Sequence, residues 1–106
     1  MRIFFDDKAL EELYYDGFTL DKKYNRLQAG IVKQYVKVVN YMMAATRIED
    51  LYRVNSLHYA KKTGDWNGQE YVRINDKYRL RFISYSDHEE RIVINIKLLE
   101  ISKHYE

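Results

Sequence analysis

Apolar and cationic residues alternate on both sides of one tight turn, and this pattern constrains the fold more than any other feature of the 106-residue chain. Because successive side chains of a β-strand point to opposite sides, Val72 and Ile74 are expected on one sheet face and Arg73 on the other. After the turn at 75–77, one face is expected to carry Tyr78, Leu80 and Phe82, and the other Arg79 and Arg81. The pattern predicts an antiparallel hairpin with one apolar and one cationic face. A cationic sheet face is typical of proteins that bind a polyanion.

The segment before this hairpin is predicted to be mainly helical. A first helix is expected between a cap at Asp6 or Asp7 and a stop at Gly17. Apolar residues at three- and four-residue steps predict a longer helix over about 24–45, and a capping box of Thr46 with Glu49 predicts a short helical turn near 48–52. Strands are predicted at about 2–5, 69–75, 78–86 and 91–101. The order β-α-α-β-β-β describes an α+β fold in which an antiparallel sheet packs on a helical hairpin.

Composition narrows the class of protein. The length favours a single domain over residues 1–106, and no proline marks a boundary within it. The chain has no cysteine, which excludes disulfides and thiolate chemistry, and its three histidines are too scattered to predict a structural zinc site. No apolar run approaches the roughly 20 residues of a membrane-spanning helix, so we expect a cytoplasmic protein without a membrane partner. The net charge is only +2, but residues 71–82 hold four basic side chains against Asp76 alone.

Several segments resemble the RelE/ParE superfamily of bacterial toxins, and most of all its HigB branch, also known as plasmid killer proteins. The tract from Gly68 to Phe82 is similar to the branch pattern G-x-x-S-I-R-I-N-D-Q-Y-R-I-x-F. Residues 51–57 resemble the subgroup with a long first helical hairpin, and residues 100–106 resemble the short polar tail of the branch. The resemblance covers nearly the whole chain, and its specific part is 51–82 with the tail. It implies a RelE-like toxin domain over residues 1–106.

This resemblance also implies a function. Such a protein is the toxin of a type II toxin–antitoxin system and acts as a ribosome-dependent mRNA endonuclease, in which the ribose 2′-hydroxyl attacks the adjacent phosphate without a metal or other cofactor. The implied partners are the ribosome, mRNA and a cognate antitoxin, usually a helix-turn-helix protein, with operator DNA bound only through the antitoxin complex. Two alternatives stay open: a ParE-like toxin that inhibits gyrase, and a catalytically inactive relative kept as a binding or regulatory protein.

Cleavage of this type needs a base for the 2′ proton, cations for the phosphorane dianion and an acid for the leaving oxygen. Arg79 matches the arginine of the family's Y-R motif and is the first candidate for holding the phosphate, with Arg73 second on the neighbouring strand. His104, Tyr105 and Lys62 are candidates for proton transfer or base stacking, and which is base and which is acid stays open. The wider RNA-binding surface is expected to include Arg81, Lys97, Lys61, Asn75 and Arg53.

Two positions depart from the family pattern. Ala60 stands where relatives often have a catalytic histidine, and Thr63 stands where they have a lysine. These departures motivate the hypothesis of an inactive relative. His58 lies two residues before Ala60 and is expected on the opposite face if the segment is extended, so it is not taken as a substitute.

Overall fold

One five-stranded sheet organises the residues described by this computed structural model, which are 1–61, 68–86 and 94–103. The strands, in the spatial order β1-β5-β4-β3-β2, are β1 (Arg2–Phe5), β2 (Ala60–Lys61), β3 (Glu70–Arg73), β4 (Tyr78–Ser86) and β5 (Ile94–Lys103). β1 runs parallel to β5, whereas the other neighbouring strands are antiparallel. The helices are α1 (Lys8–Asp16), α2 (Ala29–Ala44) and α3 (Glu49–Tyr52), followed by a 3₁₀ turn at Asn55–Leu57. This arrangement confirms the predicted α+β fold class.

The two main helices begin and end where local hydrogen bonds dictate. Asp7 caps α1, because its Oδ1 accepts from the backbone N–H of Ala9 at 2.9 Å, and Gly17 ends the helix with a φ of 82°. The expected start of the long helix at residue 24 is wrong. Asp21 instead closes a separate turn, with its carbonyl accepting from Tyr24 N at 3.1 Å, and α2 begins only at Ala29.

The short helix α3 forms within the region predicted for it. Its entry is held by Asp50, whose Oδ2 accepts from the backbone N–H groups of Thr46 and Arg47, each at 3.1 Å. The anticipated capping box between Thr46 and Glu49 is therefore replaced by a contact one residue further along.

The core lies between the helices and one face of the sheet. Its least exposed members, at 1% or less, include Leu10, Leu13, Tyr35, Val39, Met42, Val72, Leu80, Phe82, Ile96 and Leu98. The Tyr35 hydroxyl donates to Leu10 O at 2.8 Å, and burial raises the pKa of this phenol. Burial of this apolar surface is the main favourable term in folding. Among the described residues, no helix is both long and apolar enough to cross a bilayer.

A β-bulge in β5 reverses the sides on which the later side chains of this strand lie. Arg81 lies opposite Glu100 while Phe82 lies opposite Leu98, so Leu99 is an extra residue on β5. Unbroken alternation from Ile96 and Leu98 would have placed Glu100 on the core face. The bulge instead places Glu100 on the arginine side and buries Ile101, which lies opposite Leu80.

Candidate functional site

Arg73 and Arg79 lie side by side on the outer face of the sheet, the face turned away from the helices. The pairing of β3 with β4 places Arg73 directly opposite Arg79, and the pairing of β4 with β5 places Arg79 opposite Ser102. Directly opposite residues of an antiparallel pair point to the same side, with Cβ atoms about 5 Å apart. The structure therefore brings together the two arginines that the sequence singled out for phosphate.

The β3–β4 turn fixes the position of Arg79. The Asn75 side-chain Oδ1 accepts from the backbone N–H groups of Lys77 at 2.9 Å and Tyr78 at 2.8 Å. Arg79 Nη1 in turn donates to the carbonyls of Asn75 at 2.6 Å and Tyr78 at 3.1 Å. Asn75, expected to contact RNA, thus has its side-chain oxygen committed to the turn, and it positions Arg79.

The two arginines differ in their own partners. Arg73 Nη2 pairs with Asp76, which is 93% exposed, and this hydrogen bond lowers the pKa of the Asp76 carboxyl. No carboxylate forms an ion pair with Arg79 within residues 1–61, 68–86 and 94–103. Partial burial and, to a smaller extent, the charge of Arg73 lower the pKa of the Arg79 guanidinium, although an arginine stays charged at neutral pH. Arg79 therefore offers a positive charge that none of the described residues neutralises by an ion pair.

Further along the same face, the predicted cations are paired with the chain's own carboxylates. Arg81 Nη2 lies 3.0 Å from Glu100 Oε2, and Lys97 Nζ lies 3.4 Å from Asp6 Oδ1. Lys97 is also roughly 15 Å along β5 from the neighbour of Arg79, at about 3.3 Å per residue. Both side chains extend the outer face as expected, but as parts of ion pairs.

Lys61 and Arg53 lie apart from Arg79. Lys61 is paired across the strands with Glu70, which is buried on the helix side, so this register does not place Lys61 on the face of Arg73. Arg53 follows α3 and lines a shallow depression together with Tyr41 and Asp50. The sequence analysis did not predict the short strand β2. The side of the sheet on which Lys61 lies could therefore not be derived from strand alternation.

The three expected proton-transfer groups, Lys62, His104 and Tyr105, all lie outside the described residues, as does Thr63. Their roles remain predictions.

His58 is placed differently from the expectation. The segment is not extended there, because His58 ends the 3₁₀ turn with a left-handed φ of 44° and its N–H donates to Asn55 O at 3.2 Å. The pKa of Asp76, lowered mainly by Arg73, is lowered further by smaller effects of Arg79 and His58. The histidine is therefore close enough to the Arg73–Asp76 pair to influence it.

A buried cluster around Glu70 was missed by the sequence analysis. Glu70 is only 2% exposed; its Oε2 accepts from Ser84 N at 2.8 Å and from Ser84 Oγ at 2.6 Å, and its Oε1 accepts from the Tyr59 hydroxyl. Burial, followed by the hydrogen bond to Glu70, raises the pKa of Tyr59. The cluster ties the segment before β2 to β3 and β4. The sequence did contain a sign of this cluster: Glu70 lies two residues before Val72, so strand alternation places both side chains on the core face.

Two further cations near the turn were also missed. Arg26 and Lys103 line a cavity of about 210 Å³ together with Tyr78, the residue before Arg79. Lys103 is paired with Tyr78 across β4 and β5. Positive charge near the β3–β4 turn therefore comes from Arg26 and Lys103 as well as from Arg73 and Arg79.

Solved structures share this fold. A YoeB/ParE toxin from Agrobacterium tumefaciens matches with a TM-score of 0.55 at 14% identity, over 99% of this chain and 100% of that one. The toxin–antitoxin complex of YoeB and YefM from Staphylococcus aureus matches with a TM-score of 0.50 at 20% identity, over 99% of this chain and 98% of that one. Neither models of protein families nor curated proteins gave a match. At these identities the likeness establishes the fold and leaves the HigB subtype open.

Proposed function

We propose that this protein is the toxin of a type II toxin–antitoxin system and that it cleaves ribosome-bound mRNA, as HigB-like toxins of the RelE/ParE superfamily do. The observation that carries the proposal is Arg79, a guanidinium held by the turn backbone, directly opposite Arg73 and without an ion pair among the described residues. The shared fold with solved YoeB/ParE toxins supports it.

The two arginines suit the charge that develops during attack of the 2′-hydroxyl on phosphorus. The phosphorane carries two negative charges, and a guanidinium fork donates two hydrogen bonds to phosphate oxygens. Arg79 would bind the scissile phosphate first. Arg73 can join it because its present partner, Asp76, is exposed, and exposed ion pairs are weak and screened by salt.

Proton transfer would come from the tail or from Lys62. Ser102 lies opposite Arg79, and His104 follows only two residues later in the chain. Histidine titrates nearest to neutral pH, and tyrosine can donate a proton or stack on a base. We therefore keep His104, Tyr105 and Lys62 as the acid–base candidates, with the two roles unassigned.

The partners follow from the same proposal. The staphylococcal YoeB is solved in complex with YefM, and we propose an antitoxin for this chain too, of the helix-turn-helix type implied by the HigB resemblance. The ribosome and mRNA would be the targets, operator DNA would be bound only through the antitoxin complex, and the site of action would be the cytoplasm.

Expression without antitoxin tests the proposal. Wild type should arrest growth and produce codon-phased mRNA cuts in primer extension, whereas Arg79→Ala should do neither. Arg79→Lys should retain little activity because it keeps the charge but loses the fork. Arg47→Ala, an exposed arginine before α3, serves as the matched control and should behave as wild type.

Each other outcome has a definite meaning. A folded Arg79→Ala protein with undiminished toxicity would show that Arg79 is not the phosphate-binding residue. An induced DNA-damage response with intact transcripts would favour the gyrase-inhibiting alternative. Wild-type expression without arrest would favour an inactive relative, in line with Ala60 and Thr63.

A further inference from the structure

A cavity of about 460 Å³ opens beside Arg73, between α2 and the 3₁₀ turn. The α2 side of the cavity contributes Gln34, Lys37, Val38 and Tyr41, and the opposite side contributes Val54, Ser56, Leu57, Arg73 and Ile74. Sites for small ligands usually have volumes of about 300–1,000 Å³. The cavity is therefore large enough for one nucleotide unit.

The charge of the lining favours an anionic occupant. The described lining contains two cations, Lys37 and Arg73, and no carboxylate; Arg73 is paired with Asp76, whose exposed carboxylate lies outside the lining. Lys37 is exposed on α2, so its ammonium group is accessible to a ligand at the mouth. Both side chains bind phosphate, arginine through two parallel N–H donors and lysine as a point charge.

The rest of the lining suits a base. Val38, Leu57 and Ile74 supply apolar surface, and Tyr41 supplies an aromatic ring that is 40% exposed. Ser56 and Gln34 supply a hydroxyl and an amide, which can hydrogen-bond to the edge of a base. Aromatic stacking combined with edge hydrogen bonds is how proteins recognise unpaired RNA bases.

Arg73 connects this cavity to the candidate catalytic site. It lines the cavity and is also the direct cross-strand neighbour of Arg79, with Cβ atoms about 5 Å apart. A chain of phosphates passing from Arg79 to Arg73 would therefore bring the next nucleotide to the mouth of the cavity. This continuity favours RNA over an acidic protein segment as the occupant.

We infer that the cavity between α2 and the 3₁₀ turn is a base-recognition subsite for a nucleotide next to the scissile phosphate. The inference rests on the proposed function and extends it, because it assigns sequence preference to residues remote from the chemistry. Ser56 and Gln34 would read the base, Tyr41 would stack on it, and Lys37 would contact its phosphate.

Two variants and a matched control test the subsite. Lys37→Glu reverses one charge in the lining, and Ser56→Phe fills the cavity from an exposed position. Lys33→Glu makes the same charge change one turn earlier on α2, at an exposed residue outside the lining. Circular dichroism confirms that each variant is folded. The probes are the four ribonucleoside 5′-monophosphates for binding and transcriptome-wide 5′-end mapping for cut-site preference.

We expect wild type to bind at least one monophosphate, and Lys37→Glu to weaken that binding about tenfold through loss of a charge-assisted hydrogen bond. Ser56→Phe should abolish the binding and flatten the base preference beside the cut, while Lys33→Glu should change either readout less than about twofold.

The outcomes separate this inference from the proposed function. If wild type cuts mRNA but neither lining variant alters nucleotide binding or cut-site preference, the subsite is refuted and the nuclease stands. If wild type cuts no RNA, the nuclease fails and the substrate role of the cavity fails with it, even where monophosphates bind. If a hexaglutamate peptide binds wild type but not Lys37→Glu, and monophosphates do not bind, the cavity belongs to an acidic protein segment and the inference is overturned.

Discussion

Arginines at two places on one sheet face are available to a ligand to very different degrees. At the turn end, Arg79 lies opposite Ser102 and is held by backbone carbonyls. Two residues further along β4, Arg81 lies opposite Glu100 and pairs with it at 3.0 Å. The residue type, strand and face are the same. What differs is the neighbour across the sheet, and this neighbour decides which guanidinium can meet a phosphate.

The β-bulge at Leu99 creates this difference. If Leu99 were an ordinary strand residue, Glu100 would continue the alternation of Ile96 and Leu98 and face the core. With the bulge, the glutamate reaches the outer face opposite Arg81 and the serine falls opposite Arg79. A single irregularity in β5 thus neutralises one arginine and leaves the next one without an ion pair among the described residues.

The comparison predicts its largest effect for the pair of variants Arg79→Ala and Arg81→Ala. Loss of Arg79 should lower the single-turnover cleavage rate of ribosome-bound mRNA by about 10²–10³, as loss of an oxyanion donor does. Loss of Arg81 should change the rate only a few-fold, because its charge is already paired with Glu100. Equal losses of cleavage rate in the two folded variants would contradict the idea that Arg79 is available to the phosphate and Arg81 is not.

A second prediction concerns the frame that holds both arginines. Glu70→Ala should lower the free energy of unfolding by about 3 kcal/mol, because the Ser84 N–H and the Tyr59 hydroxyl lose a buried acceptor. Urea denaturation at neutral pH measures the change. Glu11→Ala, at an exposed position of α1, is the control and should change stability only slightly. A loss as small as that of the control would show that the buried cluster does not support the sheet.

A third prediction sharpens the contrast between Arg73 and Arg79. Asp76→Asn should release Arg73 and raise RNA affinity about threefold at low salt, as measured by fluorescence anisotropy. The pKa of Asp76 is lowered, so its pair with Arg73 is complete above the ordinary aspartate pKa and is lost only as the pH falls through the lowered value. The difference between variant and wild type should therefore be constant from pH 5 to pH 8. A difference that vanishes within this range would contradict the ion pair.

The smallest effect is expected for Glu100→Gln. Removing this carboxylate should raise RNA affinity about twofold at 50 mM salt, because the negative charge of Glu100 then no longer offsets the positive charge of Arg81. The gain should disappear at about 300 mM salt, where exposed charges are screened. Glu49→Gln, on the exposed side of α3, makes the same charge change elsewhere and should produce no gain. An equal gain in both variants would mean that only net charge matters.

The sheet face on which each arginine lies was predictable from the sequence, but its ion-pair partner was not. Alternation alone placed Arg73, Arg79 and Arg81 on one face and gave the bounds of β4, because period two is a local property of a strand. The pairing of Arg81 with Glu100 depends on the register of β5, which is set by packing between distant segments. The late start of α2 was not predicted for a similar reason, since a side-chain turn at Asp21 competes with a helical spacing of apolar residues that begins at Tyr24 and Leu27.

The burial of Glu70 and the placement of His58 also lay beyond sequence reasoning. A glutamate among apolar core positions is unfavourable until Ser84 and Tyr59, which are distant in the chain, supply its donors. A histidine with positive φ has no local sequence cause here, because the 3₁₀ turn and its contacts impose it. The tail candidates His104 and Tyr105 remain predictions from resemblance.

The extra residue in β5 also has an evolutionary consequence. Gain or loss of such a bulge changes which side every later residue of the strand faces, without altering a single charged side chain. Here, a regular strand that continued its alternation through Leu99 would turn Glu100 toward the core and Ile101 toward water, so the hydrophobic interior penalises loss of the bulge. Selection for a stable interior therefore also preserves the position of Arg79 on the outer face, even where no selection acts on the arginine itself.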